Sequence, residues 1–225
     1  MQVKKVAVIG SGTMGNGIAH VFAEKGFDVV LIDVAPDILE RALATISKNM
    51  DRQIKKGLLT EEAKKEALAR IKTTTRLEDI KDVDFVVEAV VENVDIKKEV
   101  FKKLDDIVRD DVILATNTSS ISITLLGAAT KRPEKVAGMH FMNPVPVMKL
   151  VEVVKGQLSS DDTVKTIVSL AEALGKTPVI VEDYPGFVAN RVLMPMINEA
   201  IYALMEGVAD KEAIDTVMKL GANHP

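Results

Sequence analysis

Short, continuous apolar runs alternate along the chain with longer segments in which apolar residues recur every three or four positions. We interpret the apolar runs as strands, over residues 6–9, 29–32, 85–87, 112–115, 136–139, 150–154 and 177–181. Strands that are apolar throughout are typical of a sheet whose two faces are both covered by helices. The pattern therefore predicts a doubly wound, mostly parallel α/β sheet.

Helical spacing of apolar residues predicts helices over residues 13–25, 36–57 and 160–174, and Thr60 is placed to cap another helix. The pattern changes at the turn signal Tyr184-Pro185-Gly186, because only helical spacing remains beyond it, over residues 188–206 and 210–220. We therefore expect an α/β domain over residues 1–185. Residues 186–225 are expected to begin an all-helical domain.

Composition narrows the class of protein. The 29 basic and 33 acidic residues give a net charge of −4, and 47% of the residues are hydrophobic, which is typical of a globular protein. With only 4% aromatic residues and no basic stripe, nucleic acid is not an expected partner. No apolar run approaches the roughly 18 residues of a spanning helix, so no membrane association is expected.

The chain contains no cysteine, which excludes disulfides and thiolate metal ligands. We predict no metal site. The N-terminus enters a strand pattern without the layout of a signal peptide. The expected location is the cytoplasm.

A glycine-rich turn joins the first predicted strand to the first predicted helix. Gly10, Gly12 and Gly15 have the spacing of a dinucleotide-binding turn, and Thr13 and Met14 open the helix. The first glycine permits the turn, the second admits a pyrophosphate, and the third lets helix and strand pack closely. The anion would lie at the positive end of the helix dipole. The sequence thus predicts a Rossmann-type nucleotide site.

The second predicted strand ends at Asp33, eighteen residues after Gly15. A carboxylate at this place can accept hydrogen bonds from the adenosine ribose and would repel a 2′-phosphate, so NAD is favoured over NADP. The alternative interpretation is an ordinary turn before an ordinary helix, with Asp33 merely ending a strand.

Hydride transfer at an alcohol carbon requires a proton acceptor, and the histidines are the first candidates. His20 lies off the apolar face of the first helix, and His224 is the penultimate residue. His140 instead follows the apolar run 136–139, at the end of a strand where open α/β sheets bind ligands. From position alone, a hydrogen-bonded structural histidine is an equal alternative.

Glu152 lies within an otherwise apolar strand, over residues 150–154, where a carboxylate needs a partner. The proline-containing segment 143–146 can turn the chain back so that His140 and Glu152 meet. A carboxylate on one imidazole nitrogen would fix the tautomer and leave the other nitrogen for substrate. The alternative is a strand-edge glutamate that faces water.

These motifs resemble those of the 3-hydroxyacyl-CoA dehydrogenase family, particularly its short-chain members, and the resemblance extends along the entire chain. The segments that carry it are the Gly10 to Gly15 turn and residues 86–89, 92–93, 117–120, 140–152 and 185–191. The block from His140 to Glu152 is the most specific of these segments.

The resemblance implies roles for individual residues. His140 would be the catalytic base and Glu152 its orienting partner. Ser119 and Asn190 would hold the reacting oxygen and a nearby carbonyl of the substrate. The residues implied to contact the ribose and nicotinamide side of NAD are Glu92, Lys97, Asn117 and Asn143.

The resemblance also points to Arg52 and Lys56 for the phosphates of coenzyme A. From the residues alone, the basic segment that contains Arg52 and Lys56 is better interpreted as a solvated helix face. Lys97 could likewise be a solvated charge on a helix, and Asn117 and Asn143 could be turn formers. These alternatives stay open at this stage.

The implied reaction is reversible, NAD-dependent oxidation of a short-chain (S)-3-hydroxyacyl-CoA to the 3-ketoacyl-CoA. A dehydrogenase of a free β-hydroxy acid and a non-catalytic dinucleotide-binding relative are the alternatives. Family members continue into further helices beyond residue 225, so we expect an incomplete helical domain here. Full-length members of the family are expected to form homodimers.

Overall fold

The computed structural model describes residues 3–225. Its strands are β1 (Lys5–Ile9), β2 (Asp28–Ile32), β3 (Ile71–Thr74), β4 (Phe85–Glu88), β5 (Ile113–Thr116), β6 (Val136–Phe141), β7 (Leu150–Lys155) and β8 (Thr177–Glu182). They form one sheet in the order β3-β2-β1-β4-β5-β6-β7-β8. The apolar runs of the sequence therefore form strands of one α/β sheet, with the run at 177–181 in the edge strand β8, and the expected fold class is confirmed.

Within residues 3–225, six helices lie between the strands along the chain and two follow β8. They are α1 (Thr13–Glu24), α2 (Pro36–Lys55), α3 (Glu61–Ala69), α4 (Val94–Ile107), α5 (Ile123–Gly127), α6 (Asp161–Ala173), α7 (Ala189–Met205) and α8 (Lys211–Thr216). Short 3-10 turns occur at Leu77–Ile80 and Pro133–Lys135, and a π-helical turn at Val217–Gly221 follows α8.

Strand direction decides where the functional residues gather. Strands β1 to β6 are mutually parallel, so their carboxyl ends lie along one edge of the sheet, which we call the carboxyl edge. Strand β7 runs antiparallel to β6, and β8 runs parallel to β7. The amino ends of β7 and β8 therefore lie at the carboxyl edge, beside the end of β6.

The sheet is held by an apolar core on both faces. Phe22, Phe85, Phe101, Ile46 and Leu114 are among the largest fully buried side chains. Burying such side chains stabilises the fold by ~1.5–3 kcal/mol each. The parallel strands are consequently rigid supports for the loops that leave their carboxyl ends.

The chain divides into two compact units, Met1–Tyr184 and Pro185–Pro225. The first contains the whole sheet, and the second contains α7 and α8. On α7, Val192 is 64% exposed, and Leu193 and Ile197 are also exposed. No helix within residues 3–225 is both long and apolar enough to cross a membrane.

Candidate active site

The glycine turn between β1 and α1 lies where the strand order reverses between β1 and β4. Gly10 has φ +92°, and a Cβ there would lie 2.6 Å from the Ala89 carbonyl oxygen. A Cβ on Gly15 would lie 1.8 Å from the Gly10 carbonyl oxygen, whereas Gly12 has open space around it. The backbone therefore forms a tight cradle that is open at Gly12, at the start of α1. Such a cradle fits the pyrophosphate of a dinucleotide.

Asp33, directly after β2, is tied to the same turn. Its Oδ2 accepts hydrogen bonds from the backbone N–H and the hydroxyl of Ser11, both at 2.7 Å. Its Oδ1 accepts from the Val34 N–H, also at 2.7 Å. The carboxylate thus holds the glycine turn in shape.

His140 and Glu152 form a buried pair across two strands. They are register partners in the antiparallel β6–β7 ladder, so both side chains project from the same face. His140 Nδ1 and Glu152 Oε2 are 2.7 Å apart, and the two residues are 5% and 2% exposed. An ionised carboxylate can only accept a hydrogen bond, so Nδ1 carries the proton of the neutral ring.

The other nitrogen of His140 meets the loop that follows β5. Nε2 lies 3.0 Å from the hydroxyl oxygen of Ser119. With Nδ1 protonated, Nε2 is left with its lone pair and accepts a hydrogen bond. Glu152, His140 and Ser119 therefore form a hydrogen-bonded chain in which a basic nitrogen is held beside a hydroxyl group.

Glu92 holds the Ser119 loop, which spans residues 117–122. Its Oε1 accepts hydrogen bonds from the Ser119 N–H at 3.0 Å and from the N–H and hydroxyl of Ser120 at 3.2 and 3.0 Å. The Thr118 hydroxyl donates to the same oxygen. Burial alone would raise the pKa of Glu92, but these hydrogen bonds and the charge of Lys97 lower it.

Lys97, on α4, is buried beneath this loop. Its side chain is 1% exposed, and Nζ lies 2.6 Å from Glu88 Oε1 and 3.3 Å from Glu92 Oε2. It also donates to the Val90 carbonyl at 3.3 Å. The interpretation of Lys97 as a solvated helix charge is therefore wrong.

Glu88 is a site residue to which the sequence assigned no role. It ends β4, is fully buried, and accepts hydrogen bonds from the Thr116 hydroxyl and the Val90 N–H, both at 2.7 Å. The sequence pattern that singled out Glu152, a glutamate in an otherwise apolar strand, also applies to Glu88 and could have identified it.

The two asparagines expected near the nicotinamide differ in surroundings. Asn117 is buried, and its Oδ1 accepts from the Phe141 N–H at 2.9 Å, which joins the Ser119 loop to the end of β6. Asn143 is exposed on the loop between β6 and β7. The Asn117 contact uses only the amide oxygen, so the side-chain NH₂ group can still donate a hydrogen bond to a ligand.

A pocket of about 260 Å³ lies between the start of α1 and the Ser119 loop. It is lined by Met14, Ala89, Val90, Glu92, Lys97, Asn117, Ser119 and Ser120. A larger pocket of about 640 Å³ contains none of the expected site residues and lies near Asp84 and Asp111, which precede β4 and β5.

Among residues 3–225 no cluster of His, Cys, Asp and Glu side chains could hold a metal ion.

The remaining expected residues lie elsewhere. Arg52 is exposed on α2 and donates to Asn49 Oδ1 at 3.1 Å, and Lys56 is exposed directly after this helix. Asn190 lies in the first turn of α7, in the second unit. Within the first unit, the structure therefore brings His140, Glu152, Ser119 and Glu92 into one hydrogen-bonded cluster, to which Asn117 is joined through the Phe141 N–H. Arg52 and Lys56, in the same unit, are not part of this cluster.

Comparison with known proteins identifies the family of the chain. Residues 5–184 match the family description "3-hydroxyacyl-CoA dehydrogenase, NAD binding domain", and residues 186–225 match the C-terminal domain of the same family. A 3-hydroxybutyryl-CoA dehydrogenase of Clostridioides difficile is 53% identical over 98% of this chain and 79% of its own length. A human mitochondrial hydroxyacyl-coenzyme A dehydrogenase is 45% identical over 99% of this chain and 73% of its own.

A solved structure gives the same result. The crystal structure of an (S)-3-hydroxybutyryl-CoA dehydrogenase from Ralstonia eutropha superposes on this chain with a TM-score of 0.98 and a sequence identity of 50%. The match covers all of this chain and 79% of the Ralstonia chain. The first unit is thus an NAD-binding domain, so the expected cofactor is confirmed. The chain belongs to the 3-hydroxyacyl-CoA dehydrogenase family.

The contact between Gly15 and Gly10 predicts the effect of adding a methyl group. In the Gly15→Ala variant, the Cβ would displace the Gly10 carbonyl, and overpacking of ~1–3 kcal/mol would weaken NADH binding about tenfold or more. Fluorescence titration with NADH measures this. Gly127→Ala at the end of α5 is the control, because its Cβ would make only ordinary contacts at 3.6 Å. Unchanged NADH affinity in Gly15→Ala would contradict the proposed cradle.

The lowered pKa of Glu92 predicts how stability depends on pH. Its stabilising contribution is complete above the unfolded-state pKa of about 4.3 and is lost as the pH falls through the folded-state value. The Glu92→Gln variant keeps an acceptor oxygen but cannot ionise, so its free energy of unfolding should fall less between about pH 5 and pH 3 than that of the parent. Urea denaturation across this range tests it, with exposed Glu40→Gln as the matched control. If the free energies of unfolding of Glu92→Gln and the parent fall equally with decreasing pH, this role is refuted.

Proposed function

We propose that the protein is an NAD-dependent dehydrogenase that interconverts a short-chain (S)-3-hydroxyacyl-CoA and its 3-ketoacyl-CoA. The observation that carries the proposal is the hydrogen-bonded chain from Glu152 through His140 to Ser119 at the carboxyl edge, next to the pocket at the start of α1. The relatives described as 3-hydroxybutyryl-CoA dehydrogenases favour a short acyl chain.

His140 is the proposed proton acceptor. In the oxidation direction, Nε2 takes the proton of the substrate hydroxyl while hydride leaves the same carbon, and in reduction the imidazolium returns that proton. Glu152 keeps Nδ1 protonated and stabilises the imidazolium that forms. Ser119 holds the substrate oxygen at hydrogen-bond distance from Nε2 and is not required as a nucleophile.

NAD supplies the hydride acceptor of this chemistry. The glycine turn at the start of α1 would bind its pyrophosphate, and Thr13 and Met14 in the first turn of the helix would flank it. Asp33 would accept hydrogen bonds from the ribose hydroxyls. Asn117 and Asn143 would contact the nicotinamide side, where Glu92 and Lys97 contribute charge.

The acyl-CoA substrate would use further polar and basic residues. Arg52 on α2 and Lys56 directly after it are both exposed and four residues apart, which suits the phosphates of coenzyme A. Asn190 would hold a substrate carbonyl. The absence of cysteine suits a reducing compartment, and we propose a cytoplasmic homodimer in keeping with the family.

Replacement of His140 tests the base. The His140→Ala variant should reduce acetoacetyl-CoA with a kcat about 10²–10⁴-fold below that of the parent, because general acid–base catalysis contributes this much. NADH affinity, measured separately by fluorescence, should stay close to that of the parent. His224 is exposed, so His224→Ala is the matched control and should have the kcat of the parent. A fully active His140→Ala enzyme would show that another group moves the proton.

Coenzyme A dependence tests the substrate class. The parent should oxidise NADH with acetoacetyl-CoA at a kcat/KM about tenfold or more above that with free acetoacetate, because the CoA moiety adds binding energy at Arg52 and Lys56. The two substrates are compared at equal concentrations, with the Arg52→Ala variant expected to lose part of the difference. Equal rates would favour a free β-hydroxy acid dehydrogenase. NADH binding without turnover on any acyl-CoA would favour a non-catalytic relative.

A further inference from the structure

The loop between β6 and β7, residues 142–149, carries Asn143 directly beyond the strand of His140. The loop is stiffened locally, because the N–H groups of Val147 and Met148 both donate to the Pro144 carbonyl at 3.0 Å. It contains two prolines, and Asn143 is exposed at its start. The position of Asn143 therefore depends on what fixes this loop to the rest of the first unit.

Lys176 fixes the loop from the side of β8. Its Nζ donates to the Val145 carbonyl at 2.5 Å and to the Met148 carbonyl at 2.8 Å. Gly175, with φ +72°, turns the chain out of α6 and sets Lys176 immediately before β8. The next residue, Thr177, donates its N–H to the Lys149 carbonyl at 2.7 Å. The ammonium group thus spans the loop from its middle to its end.

The surroundings of Lys176 suit a loop contact better than an ion pair. Glu24, the acidic residue in the adjoining pocket, pairs with His20 at 3.2 Å and with Lys25 at 3.8 Å. Burial lowers the pKa of Lys176, with the charge of Lys25 acting in the same direction and that of Glu24 against it. A cation is therefore partly desolvated here, and the loop carbonyls are the groups that solvate it.

Helix α1 holds the opposite side of the loop. Val145 is 2% exposed and packs on Gly17, where an added Cβ would lie 2.8 Å from the Val145 Cβ. The loop is therefore fixed between α1, which begins at the glycine turn, and the amino end of β8. Both contacts act on Val145, which lies two residues after Asn143.

We propose that Lys176 is a positioning residue for the cofactor, whose ammonium group holds the β6–β7 loop so that Asn143 is presented to the nicotinamide side of NAD. This inference rests on the contact between Asn143 and NAD that is part of the proposed function. Lys176 itself does not touch cofactor or substrate.

The first test compares NADH affinities by fluorescence titration. Lys176→Met leaves two loop carbonyls without their charged donor and should weaken NADH binding about tenfold, whereas Lys176→Arg, which keeps a cation, should recover most of the affinity. The matched control is Lys25→Met, which removes a neighbouring positive charge but no loop contact. Equal losses in Lys176→Met and Lys25→Met would overturn the inference, because charge alone would then explain the effect.

A double-mutant cycle separates positioning from general destabilisation. If Lys176 acts through Asn143, the double variant Asn143→Ala/Lys176→Met should bind NADH no more weakly than Asn143→Ala alone. Additive losses would overturn the inference, as would an Asn143→Ala variant with unchanged affinity. The proposed function is tested separately, by measuring turnover of acetoacetyl-CoA by the parent. The proposed function and the proposed role of Lys176 can therefore fail independently.

Discussion

The site depends on a carboxylate placed inside the sheet. Glu152 is 2% exposed within β7, and an ionised side chain there requires a hydrogen-bonding partner. His140, its register partner on β6, provides that partner at 2.7 Å. A hydrogen bond to a charged group contributes ~1.5–3 kcal/mol to stability. The interaction that orients the imidazole therefore also ties the turn between β6 and β7 to one register.

Carboxylates at the ends of other strands organise the loops in the same manner. Asp33 after β2 holds the glycine turn, and Glu92 after β4 holds the Ser119 loop. Buried Glu88 supports Lys97, which in turn contacts Glu92. Each loop is thus fixed by side chains from neighbouring elements of the protein itself. Such preorganisation is what hydride and proton transfer between fixed groups requires.

Local features of the sequence were sufficient for much of the fold. Six of the seven predicted strands form because their apolar residues are buried, whereas β8 is mostly exposed and is held by its parallel ladder with β7. The glycine turn forms because Gly10 and Gly15 have no space for a Cβ. The proximity of His140 and Glu152 was also accessible, since a glutamate within an apolar run needs a nearby partner. In each case the signal lies within a few residues of the structure that it predicts.

Features that depend on contacts between distant segments were not predictable in this way. Strand β3 was missed because only Ile71 of its four residues is buried, at the edge of the sheet. His20 lies off the apolar stripe of α1 yet is fully buried, because Gln53 of α2 covers it with a hydrogen bond of 3.0 Å. The pairing of Lys97 with Glu88 likewise needs the packing of α4 on the sheet.

The most direct measurement for the central claim is a crystal structure with oxidised NAD and a 3-ketoacyl-CoA bound, a pair that cannot exchange hydride. The C3 oxygen of the substrate is predicted to lie about 2.6–3.2 Å from Nε2 of His140 and from the Ser119 hydroxyl. Nδ1 of His140 should remain hydrogen-bonded to Glu152. A bound substrate whose C3 oxygen faces another group, or a His140 ring turned away from the nicotinamide, would contradict it.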